Sequence, residues 1–239
     1  MRTVSRFIGA MPMLALCALT SVPVAAADQG QADLAAATAK KILFAEGPAT
    51  LIVIDGEPVY QPLKGTDLQR ITNTKPFIVR DGAGIHYLKV LDGWMQAYSL
   101  YGMWSVAGVP PLGAEEALQR PAVAKQVNLL DWAALGKPDS RSKLDDATAP
   151  EVFVSTTPAE LVVMDGAPRY TTVRGTTLKY LENTTANVFK EPTDDELYVL
   201  TSSGWFRSWR TDGPWQFVRR SDLPADIAAI PDDSPVWHR

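Results

Sequence analysis

The chain contains the same sequence twice, and this internal duplication constrains its fold more than any other feature. Residues 48–74 read PATLIVIDGEPVYQPLKGTDLQRITNT and residues 158–184 read PAELVVMDGAPRYTTVRGTTLKYLENT, with 13 of 27 positions identical and no gap. The correspondence resumes one residue out of step from Tyr87 and Tyr198 onwards. The duplication therefore predicts two copies of one module, copy one and copy two, with a single residue inserted in copy two.

Each copy reads as a series of short β-strands. In copy one, the apolar run 51–54 is followed by Asp55-Gly56, a dipeptide that favours a hairpin turn, and copy two repeats this pattern at 161–166. Further along each copy, three apolar or aromatic runs are separated by turn-forming stretches, which predicts an antiparallel meander. The predicted strands of these meanders are 85–90, 94–98 and 103–106 in copy one, and 196–201, 204–209 and 214–218 in copy two.

Helix is predicted only in the connecting segments. Residues 114–119 and 123–135 carry apolar side chains at near-helical spacing, with Pro121 as a break between them. A shorter helix is expected at 222–229. The sequence therefore predicts a mainly β (α+β) fold of two tandem repeats of short antiparallel strands with a helical connector. The predicted boundaries are repeat one at 42–112, the connector at 113–137, a linker at 138–149 and repeat two at 150–235.

The first 27 residues have the composition of a signal peptide. Arg2 and Arg6 precede a mostly apolar run, and the small residues Ala25, Ala26 and Ala27 provide the cleavage pattern. We expect cleavage after Ala27, a leader at 28–41, and a periplasmic or secreted protein with no membrane span after cleavage. The alternative is a lipoprotein signal acylated at Cys17.

The inventory of reactive side chains argues against an enzyme. Cys17 is the only cysteine and lies in the predicted signal peptide, and His86 and His238 are the only histidines. No nucleotide-binding, zinc-protease or serine-hydrolase motif is present, so we expect no metal and no cofactor. Adjacent acids such as Asp194 and Asp195 leave a carboxylate-dependent hydrolase as a less favoured alternative. The net charge of -4 and the scattered basic residues argue against nucleic acid as a partner.

Aromatic residues offer the best candidate for a binding surface. Successive side chains of a strand point to opposite faces of the sheet. In the second strand of each meander, the tryptophan therefore shares a face with the residues two and four places further along the chain. We expect Trp94 and Trp104 in copy one, and Trp205 and Trp215 in copy two, to pack in the core. We expect His86 to face solvent or be satisfied locally. The residues further along lie nearer the strand ends, where an aromatic ring could stack on a sugar ring and a polar neighbour could hydrogen-bond to it. The hypothetical ligand-binding residues are Tyr98 and Gln96 in copy one, and Trp209 and Arg207 in copy two.

The repeat also resembles a known family. PAELVVMDGAPRY at 158–170, GTTLKYLENT at 175–184 and SGWFRSWRTDGPW at 203–215 are similar to repeats in exported Gram-negative proteins labelled carbohydrate-binding family V/XII. The phrase LPADIAAIPDDSP at 223–235 fits the end of the same repeat. This resemblance implies an exported protein that binds a polysaccharide or peptidoglycan, and it carries over no catalytic residues. The alternative function is an envelope protein-protein adaptor that uses sheet edges or the connector at 114–135.

Overall fold

The computed structural model describes residues 40–131, 133, 135, 142–230, 234, 236 and 237. The predicted signal peptide, Cys17, nearly all of the predicted leader, and His238 lie outside the described residues. The described part is mainly β, as predicted, with two six-stranded antiparallel sheets, two further pairs of strands and few helices.

Copy one supplies eight strands and two short helices. The strands are β1 (Lys41–Ala45), β2 (Ala49–Val53), β3 (Tyr60–Pro62), β4 (Gln69–Ile71), β5 (Ile78–Arg80), β6 (His86–Val90), β7 (Gly93–Ala97) and β8 (Ser105–Val106), and the helices are α1 (Ala114–Leu118) and α2 (Pro121–Ala124). Strands β3 to β8 form sheet one in sequence order, and every neighbouring pair is antiparallel. The predicted meander at the end of this copy is confirmed as β6, β7 and β8.

Copy two repeats this plan. Its strands are β9 (Glu151–Ser155), β10 (Ala159–Val163), β11 (Tyr170–Thr172), β12 (Lys179–Leu181), β13 (Asn187–Lys190), β14 (Leu197–Thr201), β15 (Gly204–Ser208) and β16 (Gln216–Val218), followed by a 3-10 helix (Arg220–Asp222) and α3 (Ala225–Ala228). Strands β11 to β16 form sheet two in the same order. The predicted meander is confirmed here as β14, β15 and β16.

The predicted helix at 123–135 is wrong over most of its described length. Helix α2 ends at Ala124, and from Asn128 to Leu130 the backbone bonds to the body of copy one. The backbone N–H of Asn128 donates to the carbonyl of Lys75 at 2.9 Å, and the carbonyl of Leu130 accepts the N–H of Leu91 at 2.7 Å. Leu130 is buried in the core of copy one. Burial of its apolar side chain against the sheet thus outweighs the weak helical propensity of this segment.

The two copies exchange strands with each other. Strand β1 of copy one pairs in parallel with β10 of copy two, so that Lys41 lies opposite Ala159. Strand β9 of copy two pairs in parallel with β2 of copy one, so that Glu151 lies opposite Ala49. Because β1 and β9 occupy equivalent places in the two copies, as do β2 and β10, the exchange is reciprocal. The predicted hairpin between β2 and β3 is therefore wrong, since β2 pairs with β9 and β3 pairs with β4.

This exchange completes the hydrophobic core of each copy. Ile42 of β1 is buried in the core of copy two, where the neighbouring Phe44 stacks on Trp215 with ring centroids 5.8 Å apart. In the opposite direction, Val152 and Val154 of β9 pack against the core of copy one. Each core therefore contains side chains from both halves of the sequence, and the burial of apolar area holds the halves together. The other face of each sheet is covered by the helix that follows it, α1 or α3.

Asn73 and Asn183, identical in the two copies, hold equivalent loops. The side-chain amide of Asn73 donates to the carbonyl of Asp55 at 2.8 Å, and that of Asn183 donates to the carbonyl of Asp165 at 3.0 Å. Each asparagine also accepts a backbone N–H further along the same loop. These bonds pair backbone groups of two mostly exposed loops, 55–59 and 165–169, and so fix the conformation of each loop. This part of the repeated motif is therefore structural, and residues that bind a ligand are better sought where the copies differ.

The inserted residue of copy two lies in a turn between strands. Arg80 pairs with His86 across the β5–β6 turn, whereas Lys190 pairs with Leu197 across the β13–β14 turn. The first turn comprises residues 81–85 and the second comprises residues 191–196, which is one residue more. The two copies therefore differ most in length at this turn, which borders the surface described next.

Candidate functional site

The four residues predicted to bind a ligand lie on equivalent parts of the two sheets. Tyr98 follows the last residue of β7 and is 86% exposed, and Trp209 follows the last residue of β15 and is 61% exposed. Gln96 is half-buried, and the side chain of Arg207 is 41% exposed. Tyr98 and Gln96 belong to sheet one, whereas Trp209 and Arg207 belong to sheet two. The structure thus presents one aromatic and one polar residue twice, in two separate places.

Cross-strand pairing adds a tyrosine to each of these places. Tyr87 of β6 lies opposite Gln96, and Tyr198 of β14 lies opposite Arg207. Residues directly opposite on antiparallel strands point to the same side of the sheet. We call the resulting surfaces the aromatic faces. The aromatic face of copy one consists of Tyr87, Gln96 and Tyr98, and that of copy two consists of Tyr198, Arg207 and Trp209, where Tyr198 is 5% exposed and packs in the core behind the other two.

The tryptophans beside these faces are buried, as predicted. Trp94 is 2% exposed, and its indole Nε1–H donates to Oε1 of Glu115 in α1 at 2.7 Å. The ammonium of Lys89 donates to the same oxygen at 2.9 Å. Burial raises the pKa of Glu115, but the hydrogen bonds from Lys89 and Trp94 outweigh it, so the pKa lies below its usual value. Trp205 is 8% exposed and packs against Phe189. Helix α1 thereby anchors the aromatic face of copy one to the core.

In copy one the tyrosine of the aromatic face binds a carboxylate from the neighbouring turn. The hydroxyl of Tyr87 donates to Oδ2 of Asp81 at 3.2 Å. The other carboxylate oxygen of Asp81 accepts the backbone N–H groups of Ala83 at 2.9 Å and Ile85 at 3.0 Å. Burial raises the pKa of Tyr87, and the negative charge of Asp81 raises it further. Asp81 therefore holds both the turn and the tyrosine in place.

Copy two builds the same arrangement from a different acid. The hydroxyl of Tyr198 donates to Oε2 of Glu196 at 2.6 Å, and Nε of Arg207 lies 3.6 Å from the other oxygen, Oε1. Glu196 is 4% exposed. Burial, followed by the hydrogen bond from the hydroxyl to Glu196, raises the pKa of Tyr198 to about 12. Asp81 is the first residue of its turn, whereas Glu196 is the last residue of the longer turn in copy two. The two acids are therefore not equivalent in the alignment of the copies, although the tyrosines that they bind are equivalent.

A groove of about 670 Å³ adjoins the aromatic face of copy one. Tyr87 and Asp81 lie on one side of it, and the 65–68 turn and the segment 109–113 form the other walls. The segment contains two prolines flanked by Val109, which is 77% exposed, and Leu112, which is 93% exposed. Sequence analysis missed this groove and both tyrosine-carboxylate pairs. The identity of Tyr87 and Tyr198 was the available clue, but their acids lie six residues before Tyr87 and two residues before Tyr198, so no common spacing relates the two pairs.

A further polar group lies on the opposite face of sheet one. His86 is 6% exposed, and its Nε2 lies 2.8 Å from the hydroxyl of Tyr60. Its Nδ1 is buried with no hydrogen-bond partner among the described residues. The guanidinium of Arg80 lies over the Tyr60 ring, 3.8 Å from its centroid. Burial lowers the pKa of His86, and the positive charge of Arg80 lowers it further. His86 is thus a buried, neutral core residue satisfied at one ring nitrogen.

We expect His86 to make the protein less stable in mild acid. Because the pKa of His86 is lower in the folded chain than its usual 6.5, the unfolded chain takes up the proton first as pH falls below about 6.5, and stability is lost. The variant His86→Leu adopts the residue of copy two, Leu197, and should remain within about 1 kcal/mol of the parent at neutral pH. Urea unfolding from about pH 7 to about pH 5 should show a shallower loss for His86→Leu. Parallel curves for the two proteins would contradict this expectation.

Comparisons with known proteins assign this chain to no family. No family model, curated protein or solved structure matches this chain. Within the described residues, no group of three or more histidine, cysteine or acidic side chains is placed to hold a metal ion. None of the described helices is long and apolar enough to span a membrane.

Proposed function

We propose that this protein is a non-catalytic binding protein for a polysaccharide of the cell envelope or its surroundings, with peptidoglycan as one candidate. The observation that carries this proposal is the repeated aromatic face. In each copy an exposed aromatic ring, Tyr98 or Trp209, lies beside a polar side chain and a tyrosine bound to a carboxylate. The predicted signal peptide would bring these faces into contact with such polymers.

The chemistry of the aromatic face suits a sugar. A pyranose ring has an apolar C–H side and a rim of hydroxyl groups, so it is recognised by an aromatic ring together with hydrogen-bonding groups. Tyr98 and Trp209 offer the ring, and Gln96 and Arg207 offer N–H donors two residues away on the same side of the strand. Two such faces on one chain would bind a long polymer more strongly than either alone, provided that both can engage it.

The hydrogen bonds and burial of the carboxylates of Asp81 and Glu196 favour a binding function over hydrolysis. A glycosidase needs one free carboxylic acid and a second carboxylate across the scissile bond. In copy one both oxygens of Asp81 are occupied by the backbone and by Tyr87, and in copy two Glu196 is buried between Tyr198 and Arg207. Asp81 and Glu196 hold the tyrosines of the aromatic faces in position. In the proposed function they do not act as a general acid or base.

Affinity electrophoresis through peptidoglycan, chitin and cellulose tests the proposal. We expect at least one polymer to retard the protein, and we expect Tyr98→Ala and Trp209→Ala each to weaken binding about tenfold, since a lost aromatic contact costs about 1–1.5 kcal/mol. Tyr101→Ala is the matched control, because Tyr101 is 58% exposed but lies outside the aromatic faces. The proposal fails if no polymer retards the protein, or if the double variant is retarded as strongly as the parent.

A further inference from the structure

The groove beside the aromatic face of copy one is negatively charged. Two carboxylates, Asp67 and Asp81, line it, and the lining residues include no lysine, arginine or histidine. An unfilled groove of about 670 Å³ is large enough for one or two sugar units. Its charge therefore restricts which sugars it can accept.

The basic side chains near the groove are bound elsewhere. Arg120 donates to the backbone carbonyl of Lys64. Arg80 lines an adjoining hollow together with Asp67 and Asp81, but its guanidinium donates to Gln69 at 2.6 Å and lies over the Tyr60 ring. The ammonium of Lys89 is paired with Glu115 in α1. None of these three basic side chains is therefore paired with the carboxylate of Asp67 or of Asp81.

The two carboxylates play different parts. Asp81 is saturated by two backbone N–H groups and by the hydroxyl of Tyr87. Asp67 is exposed and has no hydrogen-bond or ion-pair partner among the described residues. Asp67 is therefore the group that remains available to a ligand. At the equivalent position of copy two stands Thr177, whose N–H and hydroxyl both face Oδ2 of Asp226, at 3.3 and 3.4 Å.

One wall of the groove is apolar. It consists of Val109, Pro110, Pro111 and Leu112, and the two prolines restrict the backbone of this segment. Such a wall can take the C–H side of a sugar ring without losing much conformational freedom of its own. The groove thus pairs an apolar wall with a free carboxylate, Asp67, and with the hydroxyl of Tyr87.

We propose that this groove selects a sugar unit bearing a free, protonated amine, of the glucosamine type, with Asp67 as the partner of the ammonium group. The inference rests on the proposed function, because the amino sugar would be one unit of the bound polysaccharide. Selectivity belongs to copy one, since Thr177 stands at this position in copy two and the carboxylate beside it, Asp226, is already bound by Thr177. A charge-assisted hydrogen bond to a carboxylate is stronger than a neutral one, so the amine should decide the preference.

Titration calorimetry with two hexasaccharides tests the inference, one of glucosamine and one of N-acetylglucosamine. Below the pKa of the sugar amine, the parent protein should bind the glucosamine oligomer about threefold to fivefold more tightly, since an ion pair to an exposed carboxylate contributes up to about 1 kcal/mol. Asp67→Thr, which introduces the residue of copy two, should remove this preference while leaving the affinity for the acetylated oligomer unchanged. Asp146→Asn removes one exposed negative charge outside the groove, and should keep the preference.

The outcomes separate the inference from the proposed function. Equal affinity of the parent for both oligomers, or a preference that survives Asp67→Thr, overturns the inference and leaves polysaccharide binding standing. Loss of the preference in Asp146→Asn as well would mean attraction by net charge alone, and would also overturn it. If no oligomer or polymer binds the parent, both the proposed function and the inference fail.

Discussion

Replacing Ile42 with aspartate should unfold copy two, although Ile42 lies at the start of copy one. Ile42 is 3% exposed and belongs to the same core cluster as Val162, Phe206 and Trp215. An aspartate there would bury a carboxylate among apolar side chains and would also remove the apolar contacts of the isoleucine. We expect the free energy of unfolding to fall by about 4 kcal/mol or more, among the largest effects of a single substitution.

Hydrogen exchange measured by peptide or by residue locates this effect. Protection should be lost first in β14 and β15, which pair with each other in sheet two and lie more than 150 residues from the substitution. Lys41→Asp is the matched control, because Lys41 is exposed on the same strand, and it should change stability little. Loss of protection confined to β3–β8 would show that Ile42 stabilises its own copy, and would contradict the strand exchange.

Replacing Arg207 with alanine should destabilise copy two by about 2 kcal/mol, because it leaves the carboxylate of Glu196 buried without a positive partner. The side chain of Glu196 is 5% exposed and its Oε1 has no hydrogen bond among the described residues, so Arg207 supplies its charge compensation. The expected loss is at the lower end for a broken ion pair, since Arg207 is itself 41% exposed and its interaction is partly screened.

A double-mutant cycle with Glu196→Gln separates this role from ligand binding. Once residue 196 is neutral, Arg207→Ala should cost little, so the double variant should recover most of the stability in urea unfolding. Arg207→Gln, which introduces the residue found in copy one, should fall between the parent and Arg207→Ala, because an amide can donate to the carboxylate but carries no charge. An Arg207→Ala variant as stable as the parent would show that Glu196 does not depend on this arginine.

Strand exchange explains why the sequence analysis read the start of each copy incorrectly. Strands β1 and β9 were not predicted, although their apolar cores, ILF at 42–44 and VFV at 152–154, lie six to four residues upstream of the 27-residue alignment and fall at equivalent places. An Asp-Gly turn after β2 was interpreted as a hairpin, since local chain geometry favours a partner nearby in sequence. The partner is instead a strand of the other copy, and pairing over about 100 residues has no local signature.

The candidate site was predicted in part. Alternation along β7 and β15 places Gln96 with Tyr98 and Arg207 with Trp209, and the exposure of both aromatic residues agrees with their positions just beyond the strand ends. The acids that complete the aromatic faces could not be found this way. Asp81 and Glu196 occupy different positions in turns of different length, so no alignment of the copies relates them. Their roles depend on distances between side chains and not on sequence spacing.

The sequence by itself determined the mainly β character, the two meanders and the duplication, because these depend on alternating apolar residues and turn-forming dipeptides close together in the chain. The tertiary structure alone decided how the copies combine, which acids meet Tyr87 and Tyr198, and where the groove lies. The physical reason is that neither copy can bury its apolar face with its own first strand, so each core is completed by Ile42 or by Val152 and Val154 from the other half.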